Sequence, residues 1–386
     1  MKEKESALFS RYIIDGIQLD ATPYELLSEC MTDVFEDRDV PEDFDDILDE
    51  STDHPLTSFT YDPKDNGLYI KELPSDTTAR PFRMLYPETY TRLRIATALL
   101  DRLWNKGHFR LGDLSLWAEW IWNSKPLGNM AAFYSSVKAA SEYIYDLGCH
   151  LEDFTYDGCD DVSSFRAGAW LSGSQDVSAE DSDIHETSLF KASPYESRHP
   201  WIEDERQCHE HAVNDPDSEI IYIPFDTSSY KLGASLLAEM KGHNGGPAPK
   251  IQDPDYFIDC YEVVRELVED GIVLAGATVG DGGLAKAASD LCMNYGLEVN
   301  LNGIASSYLE EDTTKILFSE IPGVLLQISG CNMDYLDSQL LLQDVAYYPL
   351  GCPSSSFKGL RVGESSKAAL AGILSLLISQ ASEGED

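Results

Sequence analysis

The run Gly271-Ile-Val-Leu-Ala-Gly-Ala-Thr-Val-Gly-Asp-Gly-Gly-Leu284 constrains this chain more than any other stretch. An apolar segment of strand length, Ile272 to Gly276, runs into a glycine-rich turn. Gly282 and Gly283 then open a helical pattern that reaches Tyr295. Free backbone N–H groups at such a helix start can hold an anion. The same pattern also serves as a tight strand-to-helix connection with no ligand. No Gly-Lys-Ser/Thr follows, so the P-loop pattern is absent.

Strand and helix alternate elsewhere too. Tyr90 to Trp104 places apolar residues at 93, 95, 96, 99, 100, 103 and 104, the spacing of one helix face. Asp113 to Trp122 reads as a buried strand, with Trp117, Trp120 and Trp122 as core residues. Asn129 to Leu147 reads as a second helix stopped by Gly148. Leu56–Tyr61 and Gly67–Lys71 read as strands around the turn signal Asp65-Asn66-Gly67. A short helix is expected between Tyr12 and Leu27. Further on, Glu219–Phe225, Leu297–Leu301 and Val324–Ile328 read as strands. Asp255–Asp270 reads as a helix, and Ser365–Gln380 as a packed small-residue helix. The class is therefore α/β (or α+β), in two domains.

Charge marks the boundaries. Residues 1–55 form an acidic lead-in, with 17 carboxylates against 4 basic residues up to position 60. Residues 174–220 hold 13 against 3, so 174–216 reads as a protease-sensitive insertion between domains at 56–173 and 217–380. The whole chain carries −40, which argues against nucleic acid or an anionic membrane as its partner. No apolar run reaches the length of a membrane span. The eight cysteines are scattered without any C-x-x-C, as expected of reduced thiols in a cytoplasmic protein. His185, His199, Cys208, His209 and His211 fit no standard zinc spacing, so no metal is expected. No catalytic triad or acid–base pair can be picked out.

Several stretches nevertheless resemble one family in the right order: Pro87 to Asp101, Ser115 to Trp122, Tyr134 to Gly148, Lys231-Leu-Gly-Ala-Ser235, the 271–292 run, Phe318-Ser-Glu-Ile-Pro-Gly323 and Gly351-Cys-Pro353. Together they are similar to the second synthetase half of the large phosphoribosylformylglycinamidine synthases, in the aminoimidazole-ribonucleotide-synthetase superfamily. The resemblance spans about residues 56–353. It implies a synthetase-like fold: a barrel-forming sheet domain followed by a sheet covered by helices. It also implies a partner, either a twin in a homodimer or another synthetase-like chain.

The departures from that family concern its nucleotide and magnesium site. Where the family places acids, this chain has Ser58, Thr97 and, after Ala277, Thr278. Asp101 replaces a helix asparagine. The lysine-bearing loop falls near Phe154-Thr155-Tyr156-Asp157. The shaping glycines Gly282 and Gly283 remain. Three readings follow. The first is a degenerate, non-catalytic binding or regulatory subunit, with no cofactor. The second is an active ATP-dependent synthase half of purine biosynthesis, with ATP and Mg at a rebuilt site. The third is an unrelated soluble interaction protein.

Overall fold

The computed structural model describes residues 7–31, 59–77, 80–107, 109–171, 205–243 and 246–363. Among the described residues, a helical turn at 7–9 precedes a small hairpin, β1 (Ile13–Ile14) and β2 (Ile17–Gln18), followed by α1 (Pro23–Glu29). The Thr22 hydroxyl accepts from the Glu25 amide while the Glu25 carboxylate accepts from the Thr22 amide, a capping box that fixes where α1 begins. The single helix expected from Tyr12 to Leu27 is thus a hairpin plus a helix, because Asp15-Gly16 supplies two residues at positive φ.

The strand expected at Gly67–Lys71 is instead α2 (Asn66–Glu72). Asp62 accepts from the Lys64 amide and Pro63 starts a 3-10 turn that leads into the helix. Helix-start chemistry therefore overrides the turn signal of Asp65-Asn66-Gly67. Once helical, Tyr69 is buried against Phe318, and Asn66 exchanges hydrogen bonds with Thr313 and Thr314. Of the strand expected at Leu56–Tyr61, residues 56–58 lie outside the described residues, and no strand forms at 59–61.

The first sheet is built from β3 (Leu114–Trp122), β4 (His150–Gly158) and β5 (Ser164–Leu171), in the order β4-β3-β5. Its helices are α3 (Pro87–Leu100) before β3, and α4 (Asn129–Asp146) between β3 and β4. Strand β3 runs parallel to β4 and antiparallel to β5. Leu116, Ala118, Trp120 and Trp122 alternate onto the face that joins the core with α3 and α4. On the other face Ser115, Trp117 and Glu119 are also buried. Phe154 to Asp157, expected in a loop, lie within β4, where Thr155 pairs with Glu119.

The second sheet holds β6 (Ser218–Pro224), β7 (Val273–Val279), β9 (Gly323–Ser329) and β10 (Tyr348–Gly351), antiparallel throughout in the order β10-β6-β9-β7. Between these strands come α5 (Leu236–Met240), α6 (Pro254–Glu269), α7 (Gly283–Leu291), β8 (Gly296–Val299), α8 (Asn302–Ser307), α9 (Thr313–Phe318) and α10 (Met333–Leu342). Strand β11 (Gly359–Val362) pairs in parallel with β8. The period-2 alternation splits this sheet cleanly. Ile221, Ile223, Leu326 and Ile328 join α6 and the first sheet's helices in one core. Ile220, Tyr222 and Leu325 join α7 and α9 in the other.

The chain is therefore mixed α/β, as its alternation predicts, and the first core runs unbroken from one sheet to the next. No helix among the described residues is long and apolar enough to cross a membrane. The Ser365–Gln380 segment and most of 1–55 and 174–204 lie outside the described residues. The end of the acidic stretch is tied down: the His209 amide donates to the Leu274 carbonyl and its carbonyl accepts from the Gly276 amide, alongside β7.

Candidate functional site: the junction between the two sheets

Three of the residues singled out from sequence meet where α3 abuts β7. Thr278 on β7 donates to the Asp101 carboxylate (2.7 Å) and accepts from the Trp104 indole N–H (2.9 Å). Asp101 and Trp104 belong to the 3-10 turn that continues α3. One turn earlier, Thr97 returns its hydroxyl to the Leu93 and Arg94 carbonyls (3.0 and 3.1 Å). Its methyl lies so close to Gly280 that an added Cβ there would stand 2.5 Å away. Arg206 stacks over the Trp104 ring and donates to the Gly276 carbonyl (2.9 Å). Ser58 lies outside the described residues. Thr155 sits in the first sheet, its hydroxyl buried without a partner among the described residues.

The glycine-rich turn behaves as its sequence requires: Gly282 and Gly283 both hold positive φ (76° and 63°). An anion does occupy the helix start, and the chain itself supplies it. The Glu320 carboxylate accepts from the Gly282 amide (2.8 Å) and from the Leu236 amide (2.7 Å). Those donors stand at the starts of α7 and α5, where a negative charge is favoured.

Around Glu320 lies a charged network that the sequence reading missed. Arg80 reaches in from the segment before α3 and is buried. It bonds Glu320 (2.9 Å), Asp281 (2.5 Å), Glu239 (3.0 Å) and the Ala234 carbonyl (2.7 Å). Arg94 binds the second oxygen of Asp281 (2.8 Å) and the Tyr90 hydroxyl (2.9 Å), and Arg83 binds Glu239. Three guanidiniums thus face three carboxylates. Burial pushes the Arg80 guanidinium down, but Glu320 and Asp281 more than offset it and its pKa is raised. Burial raises the Glu320 carboxyl, and Arg80 and the two amides offset that only in part. The one available signal was the Phe318–Gly323 motif, which contains Glu320. Nothing in sequence spacing tied it to Arg80, 240 residues earlier.

Comparison with known proteins shows what the chain is similar to. Residues 226–329 match the model of the AIR synthase related protein C-terminal domain. The chain resembles the AIR synthase superfamily. It is 26% identical over 270 residues to the probable phosphoribosylformylglycinamidine synthase (chloroplastic/mitochondrial) of Arabidopsis thaliana, a stretch covering 69% of this chain and 18% of that one. To the probable phosphoribosylformylglycinamidine synthase of Caenorhabditis elegans it is 24% identical over 265 residues, 65% of this chain and 18% of that one. The matched part is thus under a fifth of either relative's length. Among solved structures, PurL of T. maritima complexed with FGAR is 13% identical, with a TM-score of 0.49 over 71% of this chain and 41% of that one. The tt0281 protein of Thermus thermophilus is 13% identical, with a TM-score of 0.44 over 72% and 79%. The matched family domain contains Thr278, the two glycines, Asp281 and Glu320. The Arg80 peg, Thr97 and Asp101 come from outside it.

Within this junction the donor set is poor in metal ligands. Among the described residues no group of three or more His, Cys, Asp or Glu side chains is placed to hold a metal ion. Magnesium favours hard carboxylate oxygens and carries its own waters. Here Asp101 is the acid at the α3 end, Thr278 spends its proton on it, and the other acids are consumed by arginines.

Proposed function

We propose that this chain is a phosphoribosylformylglycinamidine synthase-like protein that has lost catalysis and acts as a binding or regulatory subunit. The observation that supports this reading is that the polar groups where the resemblance implies a nucleotide site bond one another. Glu320 takes the Gly282 amide, and Thr278 joins Asp101 to Trp104. A nucleotide phosphate entering there meets an internal carboxylate instead of free N–H groups. Magnesium meets hydroxyls at Thr97 and Thr278, which carry no charge to offset its desolvation. On this reading the chain uses no cofactor. Calorimetric titration with ATP and magnesium at moderate salt should give no heat of binding tighter than about 1 mM, roughly −4 kcal/mol. Micromolar binding that is lost in Asp101→Ala would instead establish a rebuilt site and favour the active synthase of purine biosynthesis.

A partner chain, a twin or another synthetase-like chain, belongs to the same reading. Phe9, Ile13, Ile17 and Tyr24 are exposed, and Tyr24 meets Phe154 on the edge strand β4. An apolar fringe beside a sheet edge is a usual site of association. Sedimentation velocity over a hundredfold concentration range should show a species heavier than 42.9 kDa. A single sharp monomer boundary throughout would rule out the homodimer.

A further inference from the structure

We draw no further inference here: the strongest candidate, the face of the first sheet turned away from the core, where Ser115, Trp117 and Glu119 of β3 are buried and Arg166 of β5 meets Glu119, carries nothing because no described residue shows what covers it.

Discussion

Arg80→Met should cost the chain about 3–5 kcal/mol of stability, the usual result of removing one partner from a buried ionic cluster. The loss comes less from the contacts given up than from the carboxylates left behind. Glu320 and Asp281 are 4% and 7% exposed at the side chain, so water cannot replace the guanidinium. Urea denaturation followed by tryptophan fluorescence measures it. A change under about 1 kcal/mol would mean that the cluster relaxes freely and does not pin the segment before α3 to the second sheet.

The pH dependence has a definite sign. Burial raises the Glu320 carboxyl. Between the ordinary glutamate value of about 4.3 and that raised value, the folded chain binds more protons than the unfolded one. Stability from this group therefore falls as pH rises through that window. Arg80 holds the carboxyl down, so its removal raises it further and widens the window. The deficit of the variant relative to the parent should shrink as pH falls toward that range. A deficit independent of pH would assign the loss to packing instead.

Gly283→Ala should be nearly as damaging, and Gly148→Ala should not. Both glycines hold φ at +63°, so each alanine incurs the same left-handed penalty of roughly 1–2 kcal/mol. Space distinguishes them. At Gly148 nothing lies within 4 Å of an added Cβ. At Gly283 it would stand 2.6 Å from the Ser319 carbonyl oxygen and 2.8 Å from that of Leu317. Those atoms are backbone next to Glu320, so relieving the clash displaces the cluster. We expect a loss of about 3 kcal/mol or more at Gly283 and about 1 kcal/mol at Gly148, with clashes of this kind adding typically 1–3 kcal/mol. Equal losses at the two sites would show that φ alone decides.

Elements whose burial pattern is periodic were legible in sequence. The α3, α4 and α6 helices and the β3, β6 and β9 strands carry their apolar spacing within themselves, and each forms within a few residues of where that spacing places it. Asn66–Glu72 was misread because it is short. A run of three large apolar residues, Leu68 to Ile70, suits strand or helix alike, and the choice rests on capping at Asp62 and on Phe318, 249 residues after Tyr69. Strands β4 and β5 were missed because their residues are only partly buried and polar groups interrupt the alternation.

The junction divides in the same way. Motif order alone groups Thr97, Asp101, Thr278, Gly282 and Gly283, and the fold places the first three in a single hydrogen-bonded or van der Waals seam. The glycines were fixed locally, since a strand that turns into a helix within four residues needs positive φ. The occupant of the helix start was not fixed locally. Nothing near Gly282 shows that its amide is met by Glu320, or that Glu320 is held by an arginine from the other end of the chain. A backbone conformation is decided by neighbours in sequence, and its local cost can be read there. A buried charge is stable only with its partner, and where that partner comes from is settled by the packing of the two sheets around it.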